Sequence, residues 1–246
     1  MLFYLFLEVR VKNMNNVLSI AGSDCSAGAG IQADLKTFVA NGVYGMTVIT
    51  SLTAQNPQKV KMLEDVSIEM LEKQIEAIFD VMEVSAVKIG MLNSKENGEV
   101  IYEKLLKYKV KNIVLDPVMI ATSGNSLIRE ETKRFLVNEL FKIADIITPN
   151  LDETKEIVKI ILNKENIEDI EKMKNYGKII ADFTKKWVLI KGGHLSNSAV
   201  DILMNKDGIY ILEGEKISSN NTHGTGCSLS SAIASNLAKG CSMLEA

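Results

Sequence analysis

Short apolar runs alternate with stretches of helical periodicity through almost the whole chain, and that rhythm limits the available folds more than any other feature. Strands are expected at Val17–Ala21, Tyr44–Ala54, Val84–Ile89, Asn112–Leu115, Ile146–Ile147 and Trp187–Lys191, with a short extended piece at Val60–Met62. Helices are expected at Ile31–Ala40, Ile68–Met82, Glu96–Tyr108 and Glu130–Ile143, then from Leu151, over Ile167–Phe183, and from Gly224 onward. Ala199–Met204 and Gly208–Leu212 read as a hairpin. Strand–helix alternation with near-continuous apolar strands implies a mostly parallel sheet covered by helices on both faces. The fold class is therefore α/β. Ligands of such folds collect at the carboxyl ends of the strands. Gln55, Met91, Asp116, Asn150 and Lys191 each stand at such a position.

The 246 residues are 46% hydrophobic and carry a net charge of −3, enough to bury a sizeable core. Lysines are scattered rather than striped, which argues against nucleic acid as a partner. Lys104–Lys111 reads as a solvated helix face. No run reaches the roughly 18 apolar residues of a membrane helix. Three cysteines far apart in sequence suit a reducing compartment, and a cytoplasmic location is expected. Residues 1–13 are expected to be a dispensable extension, because Met14 directly precedes the first convincing strand; 14–246 form the domain.

Several local patterns admit two readings. Asn221–Ser231 places Gly224, Thr225 and Gly226 before Cys227 and an apolar helix. Free N–H groups at that helix start would suit a phosphate, and the same field would favour a thiolate. A plain glycine turn with a buried cysteine is equally consistent. The loop Gly22–Gly30 follows a strand and opens a helix, yet it has neither GxGxxG nor P-loop spacing. Asn150 and Glu153 have the spacing of a capping box, the favoured reading; alternatively Glu153 orients a hydrated magnesium ion. Asp116 ends a buried strand as a cap or an active-site charge. Lys191 ends an apolar strand, where burial asks for an anionic partner. His194 and His223 receive no role, and Cys25 and Cys241 are expected to pack.

Seven segments in order carry a resemblance: Ala21–Thr37, Thr50–Asn56, Lys88–Leu92, Asp116–Met119 with Ala121–Gly124, Thr148–Glu153, Lys191–His194 and Asn221–Ser228. Together they resemble the hydroxymethylpyrimidine/phosphomethylpyrimidine kinases of thiamine biosynthesis, from Val17 to near the last residue. The resemblance implies a ribokinase-like three-layer αβα sandwich, ATP as co-substrate, Mg2+, a small pyrimidine as acceptor, and a homodimer. It implies that Gln55 bonds the aminopyrimidine edge, with Asp34 and Gly22 nearby and Met91 against the ring. Asn150, Lys191, Asp116 and Thr122 would serve the nucleotide and phosphates, and Glu153 the magnesium. Gly224, Thr225 and Gly226 would form an anion hole, with Cys227 where sugar-kinase relatives have an aspartate base. Two departures stand out. Cys25 replaces a frequent proline, and family members usually continue beyond Ala246 by about one helix, so a short missing C-terminal segment is expected. A pyridoxal or pyridoxine kinase and a non-catalytic pyrimidine-binding protein are the competing readings.

Overall fold

The computed structural model describes residues 14–56, 58–119, 128–164, 173–192, 199–215 and 222–246. In chain order the elements are β1 (Asn16–Asp24), α1 (Gly30–Ala40), β2 (Tyr44–Asn56), β3 (Lys59–Asp65), α2 (Ile68–Phe79), β4 (Ala86–Ile89), α3 (Lys95–Lys107) and β5 (Ile113–Leu115). Then come α4 (Glu130–Phe135), which runs through a π-helical turn at Leu136–Leu140 into Phe141–Ile143, β6 (Ile146–Ile147), α5 (Leu151–Leu162) and α6 (Met173–Thr184). The last elements are β7 (Trp187–Ile190), β8 (Ala199–Met204), β9 (Ile209–Gly214) and α7 (Thr225–Ala238).

These strands form one sheet in the order β3-β2-β1-β4-β5-β6-β7-β8-β9. The six from β2 to β7 pair in parallel, and β3, β8 and β9 extend the edges antiparallel. The chain leaves β1 toward β2 and later returns to β4 on its other side, so strand order reverses between β1 and β4. Such a switch point opens a crevice at the carboxyl edge.

Side-chain parity separates two cores. Leu18, Ile20, Val87, Ile89, Leu115 and Ile147 face a large cluster that also takes in Leu71, Ile75, Ile101, Ile157 and Ile180 from α2, α3, α5 and α6. Val17, Ala86, Val114, Ile146 and Leu189 face the other way, against Phe38 of α1 and Ile233 and Leu237 of α7. The sandwich is thus asymmetric, with only α1 and α7 forming one outer layer among the described helices. Their polar residues occupy the same layer as the sheet positions Ser19 and Lys88.

The expected elements are present with shifted ends. β3 runs further than the short piece expected at Val60–Met62. Its residues are mostly exposed, so no apolar alternation announced it. β4 begins at Ala86 rather than Val84. Ile167 and its neighbours through 172 lie outside the described residues, as do residues 1–13, Thr122 and His194. Lys104 is not purely solvated: it bridges Glu72 and Glu76 of α2, with its side chain 12% exposed.

Leu71 is fully buried in the larger core, so Leu71→Ala is expected to lower the unfolding free energy by about 2–5 kcal/mol. Val81→Ala, at a side chain 82% exposed, is expected to change it by less than about 0.5 kcal/mol. Urea titrations of both variants check the assignment of core and surface.

Candidate active site

At the carboxyl end of β1 the chain turns sharply on Asp24. Its carboxylate accepts backbone N–H bonds from Ser26 (2.8 Å), Gly28 (3.1 Å) and Ala29 (2.8 Å), and the Ser26 hydroxyl donates a fourth (2.8 Å). His223 Nε2 lies 3.0 Å away, and the Gln55 side chain bonds the same group. Burial pushes the Asp24 carboxyl upward, but His223, Ser26 and Gln55 outweigh it and hold it well below the usual carboxylate range. Gly30 closes the turn at φ +57°, where a Cβ would meet the Gly22 carbonyl oxygen at 2.3 Å.

A second glycine turn lies against the first. Gly224 precedes α7 at φ +82°, and a Cβ there would fall 1.8 Å from the Gly28 carbonyl oxygen. Only glycine permits that approach. Gly224 has no side chain to cap α7, and the Thr225 N–H is taken by the Thr222 carbonyl at 3.3 Å, so the Gly226 and Cys227 N–H groups are the ones offered to an incoming anion. Gly226, one residue into the helix, lies against an ion pair: its Cβ would stand 3.1 Å from Lys191 Nζ and 3.4 Å from Asp116 Oδ2. Lys191 and Asp116 are joined at 2.8 Å, and the Thr148 hydroxyl donates to Asp116 at 3.1 Å.

Asn150 and Glu153 form a complete capping box at the start of α5. Glu153 accepts from Asn150 N (2.9 Å) and Met119 N (3.3 Å) and is almost wholly buried. The structural reading of this pair is therefore realised. The site reaches it as well, because Asn150 bridges to Lys191 at the strand ends. Burial, aided by the Asp116 charge, pushes the Glu153 carboxyl up to about 7. Lys191 is raised: burial opposes its charge, but Asp116 and Glu153 outweigh burial. Asp116 is lowered, because Lys191 and Lys88 overcome its burial.

Toward β2, Gly22 and Met91 touch: a Cβ on Gly22 would meet Met91 Cε at 2.8 Å and Ser51 Oγ at 3.1 Å. Gln55 follows an irregularity in the β2–β3 pairing, and its carbonyl accepts from Cys25 Sγ at 3.2 Å. Gly22 and Met91 thus lie together beside β2, while Gly226, Asp116, Lys191, Asn150 and Glu153 gather at the ends of the strands further along the sheet.

Two expectations need correction. Asp34 does not face a ligand. It is fully buried, bonded to Ser19, Ser231 and Lys88, with no surface left for a substrate. The Cys227 thiol, expected to be lowered by its helix terminus, stands in surroundings that oppose its ionisation. The mass of protein around it pushes the thiol up, and Lys88 and the Gly30 N–H only partly offset this. The group retains some exposed surface, so it is the surrounding low dielectric rather than complete enclosure that opposes the thiolate.

Asp24 and Lys88 were missed as site residues, and His223 was left without a role. Lys88 carried a usable signal. A lysine inside Ala86–Ile89 requires an anionic partner by the argument applied to Lys191.

The elevated Glu153 has a thermodynamic consequence. Unfolded, it titrates near 4.3, so between about pH 4.5 and 7 the folded state holds the proton more tightly and stability falls as pH rises. Glu153→Gln cannot ionise and is expected to lose less stability from pH 5 to 7.5, by on the order of 2 kcal/mol. Parallel stability curves for the two proteins in urea would count against this account.

Comparison with known proteins agrees with the geometry. A family described as phosphomethylpyrimidine kinase matches residues 24–246. A hydroxymethylpyrimidine/phosphomethylpyrimidine kinase of Rhizobium meliloti is 44% identical over 230 residues, 93% of this chain and 85% of the relative. One from Aquifex aeolicus is 45% identical, covering 89% of this chain and 84% of its own. Among solved structures, phosphomethylpyrimidine kinase from Clostridium difficile superposes with a TM-score of 0.81 at 46% identity, covering 94% of each chain. An ADP complex of Bacillus subtilis pyridoxal kinase gives 0.84 at 34% identity, over 95% of this chain and 87% of that one. With two glycine turns packed together and a lysine–carboxylate pair under a helix start, the chain belongs to the phosphomethylpyrimidine kinase family.

Proposed function

We propose that this chain transfers the γ-phosphoryl group of ATP to the hydroxymethyl group of 4-amino-5-hydroxymethyl-2-methylpyrimidine, and then phosphorylates the monophosphate to the diphosphate, for thiamine biosynthesis. One observation carries the reading. Gly226 leaves room for the buried Lys191–Asp116 pair directly beneath an uncapped helix start, with Cys227 as the next residue. Phosphoryl transfer asks a protein mainly for position and for charge stabilisation, and this arrangement supplies both.

In this reading Gly224, Thr225 and Gly226 form the anion hole, and Lys191 neutralises the phosphates. Gln55 reads the aminopyrimidine edge, and Gly22 and Met91 flank the ring. The Cys227 thiolate, formed by loss of the thiol proton to solvent, accepts the proton of the hydroxymethyl O–H as that oxygen bonds the γ-phosphorus. The bond to the β,γ-bridging oxygen breaks, ADP leaves with the electron pair, and the thiol returns its proton to solvent. Thr122, expected near the nucleotide, lies outside the described residues.

A magnesium ion suits the donors present. Asp116 and Glu153 are buried carboxylates close enough to repel. Among the described residues no group of three His, Cys, Asp or Glu side chains could hold a metal by itself. That set fits a hydrated ion carried mainly by nucleotide phosphates, with Glu153 and Asn150 facing it; bound there, it would offset phosphate charge.

Cys227→Ala is expected to lower kcat by about 10²–10⁴ with little change in the Kd for the pyrimidine, as read by coupled ADP assay and calorimetry. Wild-type turnover would remove Cys227 from the base role. Solved pyridoxal kinases at 30–34% identity make B6 vitamers the competing substrates. Turnover on the pyrimidine, its phosphate and pyridoxal is expected to favour the first two. A preference for pyridoxal overturns the choice of substrate, and pyrimidine binding without ADP release makes the chain a non-catalytic binder.

A further inference from the structure

Beneath the anion hole lies a charge that the reaction scheme does not use. Lys88 sits in the middle of β4, on the face covered by α1 and α7, and is fully buried. Its ammonium lies 2.9 and 3.0 Å from the two oxygens of Asp34, itself fully buried on α1. Ser19 of β1 and Ser231 of α7 donate hydroxyl bonds to the same carboxylate.

Three geometric facts give the ammonium a direction. A Cβ on Gly90, two residues further along β4, would stand 2.7 Å from Lys88 Nζ, so the side chain reaches toward the carboxyl edge of the sheet. Ser231 is one helical turn beyond Cys227 on α7, so the pair is anchored just below the reactive thiol. Asp34 receives donors from three residues, whereas every bond found for Lys88 among the described residues goes to Asp34. The carboxylate is therefore damped by hydroxyl dipoles and the cation is not. In a low-dielectric interior the remaining field is strong.

We propose that Lys88 is a positioning residue for phosphoryl transfer: a fixed cation, held by Asp34 beneath the first turn of α7, that stabilises negative charge on Cys227. The proposal rests on the reading of Cys227 as proton acceptor, and it adds the source of the positive field there. The charged groups facing Cys227 are Lys88 from β4, Asp34 from α1, Asp116 after β5 and Lys191 after β7, with the Gly30 N–H at the start of α1. Lys88 and the Gly30 N–H favour the thiolate, while burial, Asp34 and Asp116 oppose it. Removing the lysine alone would leave Asp34 buried without its cation, which strongly destabilises a fold. The informative variant removes both charges.

The test is the pH profile of Cys227 alkylation by iodoacetamide between pH 6 and 10. Modification is quantified peptide by peptide, with Cys25 and Cys241 as internal references. In the Lys88→Met/Asp34→Asn double variant the rate at pH 8 is expected to fall about tenfold, with the profile displaced to higher pH. Ser231→Ala keeps both charges and removes one hydroxyl from Asp34, so the carboxylate opposes the thiolate more strongly and the profile is expected to move to higher pH. It also carries the test if the double variant yields no folded protein by circular dichroism. Profiles that superimpose on wild type within twofold overturn the proposal. So does a rate reduced by the same factor at every pH, which would report access rather than charge. These alkylation readouts do not depend on catalysis, so failure of the base reading, seen as full turnover in Cys227→Ala, is distinguishable from failure of the Lys88 reading.

Discussion

The site depends on one carboxylate. Asp24 gathers three backbone N–H groups, a serine hydroxyl, the Gln55 side chain and His223 around a side chain that is only 2% exposed. Remove that acceptor and three turn amides lose their partner, while the loop from Cys25 to Ala29 loses its shape. The consequence spreads, because Gly224 packs on the Gly28 carbonyl of the same loop. The start of α7 is therefore located by a residue at the end of β1, far away in sequence. A residue expected to touch the pyrimidine, Gln55, and the loop expected to hold the transferred phosphate are bonded to the same side chain.

A second set of charges lies across the floor of the crevice. Lys191 and Asp116 form one pair and Lys88 and Asp34 another, with Glu153 and Cys227 as the groups whose ionisation is resisted. Buried ion pairs are weak evidence for stability. Here they lie under the uncapped end of a helix. The charge stabilisation proposed for them would give a physical reason for placing them among apolar side chains that could have packed without them.

The strand–helix rhythm made the α/β class and nearly every element legible, since burial on both faces leaves short, wholly apolar strands such as Ala86–Ile89 and Ile146–Ile147. β3 was only half visible, because an exposed edge strand needs no apolar period. Site positions at strand ends could be read from topology alone. What could not be read was which polar group would meet which. The resemblance sets Asp34 near the ligand, yet helical geometry turns it into the layer between α1 and the sheet, where it bonds Ser19, Ser231 and Lys88. The helix terminus alone suggests a lowered Cys227 thiol, whereas burial pushes it up and Lys88 and the Gly30 N–H offset only part of that. In both cases contacts between residues far apart in sequence decide the surroundings of the group.

The outer layer formed by α1 and α7 joins the first described helix to the last. During synthesis the strands from β1 to β7 and α1 can collapse before α7 exists, since domains assemble as the chain emerges. Until then Asp34 lacks the Ser231 hydroxyl, the Asp24 turn lacks His223, and Lys191 has no helix above it. The half-built molecule thus has its sheet before the loop proposed to hold the transferred phosphate is in place. α7 is at once the cover of the smaller core and the mount of that loop, so packing that core and setting the loop are one event.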